Sequence, residues 1–234
     1  GPFGFCELFD PEFQPWTGGG LHFSFLNQPN AALVNFEMFC RALRPLLGDG
    51  KALQEFEDVR QASPLIMKKE LEMVWASKLG LDTQQLELLP SLLRLMIETG
   101  VDYTIFFREL SKIPQSASAL EKSFYKKVAS EQSDRWQSWL DQWREMVLAA
   151  NGADLEAASV RMKQVNPKYT WREWLVAPAY QQAAEGNYSL VRELQEVLSR
   201  PYDEQSAEVE AKFYRLKPME YFDAGGISQY SCSS

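Results

Sequence analysis

The chain has 234 residues, 45% of them hydrophobic and 13% aromatic, which is enough apolar material for one large or two small packed domains. It carries 24 Lys and Arg against 32 Asp and Glu, and this net charge of −8 disfavours the basic surface that sequence-independent nucleic-acid binding needs. Three cysteines and the single histidine His22 argue against a disulfide framework, a zinc site and a His-based triad. No run approaches the ~20 apolar residues that span a bilayer, so we expect no transmembrane segment.

The first 29 residues differ in pattern from the rest of the chain. They contain four prolines and the run Gly18-Gly19-Gly20 and show little periodicity, which predicts an extended or looped arm. From Asn30 onward the spacing becomes helical, with apolar residues recurring on one side up to the break at residues 48–50. We expect that side, which includes Leu33, Phe36, Cys40 and Leu43, to be buried.

Start signals predict three further helices in the first half. Ser63 before Pro64 is typical of a cap followed by a first-turn proline, so a helix is expected from there to Gly80. Asp82 and Gln85 indicate the start of the next helix, which runs to Gly100, with Pro90 either bending it or marking its true start. Residue 102, an aspartate, is predicted to cap a short helix that closes before residue 114.

A tryptophan stripe marks a long helix at about residues 133–150. Trp136, Trp139 and Trp143 lie on one face of it, and such a stripe is either a partner surface or a ridge of the core. We interpret the three side chains as core packing.

Two more helices are predicted in the last third. Thr170 and Glu173 form a capping-box pattern ahead of one helix, and another begins at Ser189 and ends before Pro201. The best candidate for a domain boundary, residues 111–119, is short enough to be an ordinary helix connection. The expected organisation is therefore all-α: an extended N-terminal arm at 1–29, a helical domain at 30–200 and an irregular C-terminal tail at 201–234.

The residues themselves give no positive argument for catalysis. Neither glycine-rich phosphate-binding pattern, G-x-x-x-x-G-K-[ST] or G-x-G-x-x-G, occurs, and Gly18-Gly19-Gly20 precedes Leu21 rather than a basic residue and a helix. Carboxylates such as Glu55, Glu57 and Asp58 are dense enough to be a solvated helix face, and nothing selects one pair as acid and base. We therefore predict no nucleotide or metal site from composition and spacing.

Several short segments, taken together, carry a family resemblance. They are Gly1-Pro2-Phe3-Gly4-Phe5 with Asp10-Pro11, Asn27-Gln28-Pro29 with Asn35, residues 41–46, Lys78-Leu79-Gly80-Leu81, residues 99–104, residues 166–205 and Ser231-Cys232-Ser233-Ser234. Each segment alone is weak, but their order and spacing cover nearly the whole chain. In this respect the chain resembles the selenoprotein O family, kinase-fold enzymes that transfer AMP rather than phosphate to proteins.

The resemblance implies a fold and says which part of that fold this chain forms. The opening segment Gly1–Phe5 is similar to the stretch directly after the family's metal-binding aspartate, so the ATP-binding lobe, the catalytic loop and the Mg²⁺ ligands are implied to lie upstream. This chain then corresponds to the helical C-lobe of a protein-kinase-like (pseudokinase) fold with irregular arms. We expect it to hold no catalytic, cofactor-binding or metal residue, either as a piece of a longer protein or as a descendant that lost the other lobe.

Candidate redox residues come from the same resemblance. The family pairs a cysteine or selenocysteine of its tail with a cysteine shortly after Asp10-Pro11, but residues 14–20 here contain no cysteine. Cys232 has therefore lost its usual partner. Cys6 is the alternative partner if the geometry allows a disulfide; otherwise Cys232 is a free tail thiol.

A second class of function is a structural or accessory subunit of a larger protein complex. A C-lobe without its other lobe exposes apolar surface, which binding would cover. The aromatic residues of the N-terminal arm are the predicted anchors: Phe3, Phe5, Phe13, Trp16, Phe23 and Phe25. A third hypothesis is action in trans with a separately encoded ATP-binding lobe. By resemblance alone, the location would be a mitochondrion or plastid in a eukaryote and the cytoplasm in a bacterium.

Overall fold

The computed structural model describes residues 6–14, 20–152 and 154–222. Within these ranges the protein is all-helical, which confirms the predicted all-α class, and its only extended pairings are the isolated bridges Leu8↔Asp102 and Val101↔Phe124. The α-helices are α1 Gln28–Leu43, α2 Lys51–Leu79, α3 Leu89–Thr99, α4 Tyr103–Leu110, α5 Ser130–Ala150, α6 Leu155–Val165, α7 Glu173–Ala184, α8 Ser189–Ser199 and α9 Ala207–Phe213. Short 3₁₀ helices occupy Gly20–Phe23, Phe25–Asn27, Arg44–Leu46, Ala117–Ser123 and Met219–Tyr221. None of the helices in the described ranges is long and apolar enough to cross a membrane.

The chain divides into two compact units, and neither boundary falls at residues 111–119. The smaller unit is Pro11–Trp75 and the larger unit combines the first ten residues with Ala76–Ser234. The smaller unit contains three of the 3₁₀ helices, α1 and most of α2, whose last residues Ala76–Leu79 belong to the larger unit.

The expectation that one face of α1 is buried is only partly met. Cys40 is buried, but Leu33, Phe36 and Leu43 are half-exposed, and Phe39 on the same helix is 57% exposed. The helix also ends at Leu43, because Pro45 cannot donate the next helical hydrogen bond and the chain tightens into the 3₁₀ turn Arg44–Leu46.

The predicted helix start at Ser63 is wrong. Helix α2 begins at Lys51 and passes through Pro64 without interruption. Proline lacks the N–H that would bond to the carbonyl of Arg60, and the Ser63 hydroxyl donates to that carbonyl instead, at 2.8 Å. The serine that resembled a helix cap therefore compensates for a proline inside the helix.

The core of the larger unit is built around α3, α4 and α5. The stripe of Trp136, Trp139 and Trp143 is at most 3% exposed, which confirms the packing interpretation. The rings of Trp139 and Trp143 stack with centroids 5.9 Å apart. Their indole N–H groups donate to the carbonyls of Leu88 and Leu79, at 3.2 and 2.9 Å, so the polar end of each buried ring is satisfied.

Helix ends in this core agree with several predictions. Helix α3 starts at Leu89 with Pro90 in its first turn, so Pro90 marks the true start. Gly100 closes α3 with a φ of 66°, and the Asp102 carboxylate caps α4 by accepting from the N–H of Ile105. Gly80 comes directly after α2 with a φ of 67°, and a Cβ there would lie 2.8 Å from the sulfur of Met162, so a larger residue would displace α6.

A second apolar cluster in the larger unit joins α7, α8 and α9 around Trp174, Val197 and Phe213. Helix α8 begins at Ser189 as predicted, but the capping box at Thr170 is wrong, because α7 begins at Glu173 without a side-chain cap. Two helices were not predicted. Helix α6 begins after the cap Asp154, and α9, capped by Ser206, lies within the tail that was expected to be irregular.

Candidate functional site

The segment Cys6–Asp10 is held against the turn between α3 and α4. The N–H of Phe9 donates to the carbonyl of Val101 at 2.7 Å, and the N–H of Tyr103 donates to the carbonyl of Glu7 at 2.8 Å. The ring of Phe9 stacks on Tyr103. The first described residues of the chain are therefore fixed to the core by backbone pairing rather than by apolar contact alone.

A buried ion-pair network fastens this segment from its other side. Arg172, just before α7, donates to both carboxylate oxygens of Asp102 at 2.8 and 3.0 Å and to Glu7 at 3.0 Å. Arg172 is 1% exposed and Asp102 is fully buried. We call Glu7, Asp102 and Arg172 the anchor network, since it joins residues 165 positions apart.

The side chains of the anchor network are almost entirely buried from solvent, and this burial affects the pKa values of Glu7 and Arg172. Burial raises the pKa of Glu7 above its ordinary value, and Arg172 offsets that rise only in part. Burial opposes the charge on Arg172, but its attraction to Asp102, its hydrogen bonds to Asp102 and its attraction to Glu7 together outweigh burial and raise the pKa of the guanidinium. Neutral donors also contribute: Trp174 donates to Oε1 of Glu7 at 3.0 Å, and Tyr125 donates to Asp102 at 3.1 Å.

A second polar network gathers residues from the segments that carry the family resemblance. Asn166 accepts a hydrogen bond from the ammonium of Lys78 at 2.8 Å and donates to the carbonyl of Lys78 and the hydroxyl of Ser111. The Lys78 ammonium also lies 4.3 Å from the ring centre of Phe107. Burial lowers the pKa of Lys78 to about 8.

Arg108 extends this second network to the loop after α8. Its guanidinium donates to the carbonyls of Asn166 and Tyr202 and to the carboxylate of Glu204, the last at 2.7 Å. The Arg108 side chain is charged and yet only 1% exposed, and most of the other buried side chains of α4 are apolar. One arginine thus ties α4 to the loop before α7 and to the loop after α8.

Lys168 completes the network by bridging two carboxylates. Its ammonium donates to Glu204 at 2.7 Å and to Glu210 at 2.8 Å. Burial favours the neutral form of Glu204, but hydrogen bonds from Lys168 and Arg108 outweigh it and lower its pKa to about 2. Hydrogen bonds from Lys122 and Lys168 lower the pKa of Glu210 to about 2 as well. We call this set, from Lys78 to Glu210, the loop network.

The charged groups of both networks pair with one another and hold helices and loops of the larger unit together. The carboxylates of Glu7 and Asp102 are committed to Arg172, and those of Glu204 and Glu210 are committed to buried cations. Among the described residues, no three His, Cys, Asp or Glu side chains form a group that could hold a metal ion. The carboxylates of these two networks therefore do not fit the Mg²⁺ that the family resemblance implies.

Of the two predicted redox residues, the structure describes only Cys6. Cys6 is 3% exposed, and its thiol donates to the carbonyl of Leu8 at 3.2 Å. Burial raises the pKa of this thiol to about 12, which disfavours the thiolate that disulfide exchange requires. Cys232 lies outside the described residues.

The predicted aromatic anchors are likewise divided. Phe3, Phe5 and Trp16 lie outside the described residues. Phe13 and Phe25 are half-buried and joined by a backbone hydrogen bond of 2.9 Å, whereas Phe23 is 41% exposed and makes an edge contact with His22.

Two clefts were not predicted from the sequence. In the smaller unit, a cleft of about 650 Å³ is lined by Cys40, Phe56 and three arginines, of which Arg44 and Arg60 pair with Glu57. In the larger unit, a cleft of about 360 Å³ lies beside Tyr125 and the start of α5. The residues that line each cleft come from a single stretch of the chain, 37–60 and 117–136, but no local pattern in those stretches predicts a cavity. For the loop network, the one local sign was the charged pair Arg108 and Glu109 on α4, whose other side chains are mostly apolar.

Comparison with known proteins identifies the family. The family model described as "Protein adenylyltransferase SelO" matches residues 1–199. A "Protein nucleotidyltransferase YdiU" from Xanthomonas campestris pv. campestris (strain B100) is 34% identical over all of this chain and 46% of its own length. Proteins of the same name from Flavobacterium johnsoniae and Aromatoleum aromaticum are 32% and 31% identical, again over the whole chain and 46% and 45% of their own lengths. The chain spans about half the length of the curated relatives it matches, and it belongs to the SelO family of protein adenylyltransferases.

Proposed function

We propose that this chain is the helical, C-lobe-like portion of a SelO-type protein adenylyltransferase and does not transfer AMP by itself. Its role is to complete an enzyme whose ATP- and Mg²⁺-binding lobe is supplied by the rest of such a protein. Support comes from the family match, from the 46% coverage of the Xanthomonas relative and from the exposed apolar surface of the smaller unit.

The apolar surface of α2 is the observation that carries this proposal. Val59, Ile66 and Met73 are 60%, 53% and 51% exposed. Residues seven apart on a helix drift by only about 20°, so the three side chains form one line, which we call the α2 stripe. Helix α1 adds Val34, Met38 and Phe39, each about half exposed. A row of exposed apolar side chains of this kind is typical of a site that binding covers.

A chimera tests the proposal. The segment of the Xanthomonas campestris relative that matches this chain is replaced by this chain, and AMP transfer from labelled ATP to protein is measured with Mg²⁺. We expect transfer by the chimera and none by the 234-residue chain. Labelling of itself or of an added protein by the chain alone would contradict the proposal.

A matched pair of variants then tests the surface. V59D/I66D in the chimera is expected to reduce transfer at least tenfold by placing charge in a covered contact. Q54D/Q61D adds the same charge at two exposed α2 positions with the same spacing and is expected to leave transfer unchanged. Equal losses in the two variants would assign the effect to charge rather than to the stripe.

The second candidate function is an accessory subunit that docks in a larger complex through its helical surface and aromatic N-terminal arm. The exposed side chain of Phe23 favours it. Size-exclusion chromatography with light scattering separates the two: a well-behaved monomer in isolation weakens the accessory role, whereas self-association that Phe23→Ser abolishes supports it. Placement in a mitochondrion or plastid, or in the bacterial cytoplasm, is part of this proposal and depends on the source organism.

A further inference from the structure

The cleft of the larger unit combines an apolar floor with a basic rim. Phe124 and Trp136 are buried at its floor, Tyr125 forms a wall, and the exposed lysines Lys126 and Lys127 stand at its edge. Its volume of about 360 Å³ accommodates one large side chain and its flanking backbone. Glu121 is the one carboxylate among the lining residues, so the rim is net positive in a chain of net charge −8.

The backbone beside the cleft is unpaired. Within the described part of the chain, the N–H and C=O groups of Lys126, Lys127 and Val128 make no hydrogen bond to other residues. The segment connects the 3₁₀ helix Ala117–Ser123 to α5, and just before it the N–H of Tyr125 still donates to the carbonyl of Gly100. Free backbone groups in such a segment pair readily with an added extended peptide.

An unmatched donor lies in the same place. Trp136 is 1% exposed, and its indole N–H has no acceptor among the described residues, in contrast to Trp139 and Trp143 on the same helix. Buried donors without acceptors are uncommon in folded proteins. A carbonyl or carboxylate that entered the cleft would supply the missing acceptor.

We propose that this cleft binds an extended peptide segment of another protein, one that presents a single large apolar side chain flanked by carboxylates. The apolar side chain packs against Phe124 and Trp136, whose rings already contact each other edge to face, the peptide backbone pairs with residues 126–128, and the carboxylates meet Lys126 and Lys127. The site is independent of adenylate transfer, because it requires neither ATP nor the remainder of a full-length relative.

Fluorescence anisotropy with a defined probe tests the site on the 234-residue chain. The probe is fluorescein-labelled Gly-Asp-Glu-Phe-Asp-Ser-Gly, compared with the same peptide carrying Ala for Phe and with one carrying Lys for each acidic residue. We expect saturable binding of the first in the roughly 10–100 μM range of short peptides and at least tenfold weaker binding of the other two. Absence of saturable binding by the folded chain overturns the proposal.

Two matched pairs of variants locate the binding. K126E/K127E is expected to weaken binding about tenfold, whereas K68E/K69E, the same charge change at two exposed lysines of α2, leaves it unchanged. Ser133→Trp fills the cleft from α5 and is expected to abolish binding, whereas Ser138→Trp, exposed on the same helix but outside the lining, does not. Circular dichroism of each variant verifies folding.

The chain's own end is the competing occupant. The ring of Phe222, the last described residue, contacts Tyr125 with centroids 5.5 Å apart. The same titration is therefore repeated on a chain truncated after Phe222. Equal affinity in the two chains supports an external peptide. Binding only after truncation overturns the proposal in favour of residues 223–234, and undiminished binding by K126E/K127E and Ser133→Trp overturns the cleft itself.

Discussion

The two units of this chain differ in which side chains they bury: the larger unit buries charged groups, and the smaller unit leaves large apolar groups exposed. In the larger unit, charged residues such as Arg108, Lys168 and Arg172 are buried and matched, while the tryptophans of α5 are enclosed. In the smaller unit, the ion pairs are partly exposed, and several large apolar side chains of α1 and α2 are about half exposed. The larger unit therefore encloses charged groups within its core, whereas the smaller unit leaves large apolar side chains of its two helices in solvent, which is the basis of the proposed contact.

The largest expected effect lies in the anchor network. Arg172→Met leaves Asp102 and Glu7 as buried carboxylates without a cation, and we expect the free energy of unfolding to fall by roughly 3–5 kcal/mol. Arg172→Lys is expected to recover only part of the loss, since an ammonium cannot donate to both oxygens in the same planar geometry. Urea unfolding followed by tryptophan fluorescence measures the change.

The control for this prediction is Arg192→Met on the exposed side of α8, with an expected change within about 0.5 kcal/mol. If Arg172→Met cost no more than the control, the anchor network would not stabilise the larger unit.

An intermediate effect is expected in the loop network. Glu204→Gln removes the charged partner of Arg108 and Lys168, and we expect a loss of about 1–2 kcal/mol at neutral pH, discounted because the Glu204 side chain is 58% exposed. The pKa of Glu204 is lowered from 4.5 to about 2, so its contribution is full above pH 4.5 and is lost as the pH falls through 2.

The difference in stability between the parent chain and Glu204→Gln should therefore shrink steadily between pH 4.5 and 2. Urea titrations at several pH values measure it. A difference that stays constant down to pH 2 would contradict the assignment of the low pKa to Glu204.

The smallest effect on stability is expected from the α2 stripe. The triple variant V59D/I66D/M73D replaces apolar side chains that are already solvated, and each change should alter the free energy of unfolding by no more than about 0.5 kcal/mol. The same chemical change at Phe106, fully buried on α4, is expected to prevent folding of the larger unit. Circular dichroism and urea unfolding of both variants measure the contrast, and a large loss in the triple variant would show that the stripe is packed.

Local features of the fold were predictable from the sequence because their causes are local. The cap at Asp102, the start of α3 at Pro90 and the buried tryptophans each depend on residues within one or two turns. The failures at Ser63 and Thr170 arose where a capping pattern occurred inside or ahead of a helix whose ends are set by other contacts. Helix α6 escaped notice because only Ala158 and Met162 are buried on it.

The networks could not be predicted, since their members are distant in sequence. Arg172 meets Glu7 across 165 positions, and Arg108 meets Glu204 across 96. Nothing in the neighbourhood of either arginine specifies its partner. Each cleft is lined by residues of one short stretch, but its shape depends on how the helices and loops of that stretch pack, which the local pattern does not specify.

The convergence of Lys78, Asn166, Lys168 and Glu204 on one loop network changes what a sequence signature in this half of the family can report. These residues lie in the stretches that carry the family resemblance, and in the described part of the chain their side chains pair with one another and with backbone carbonyls. Loss of any one of them would break hydrogen bonds that join helices and loops of the larger unit, whatever chemistry the whole protein performs. A match at these stretches therefore reports a shared scaffold and does not by itself report nucleotide transfer.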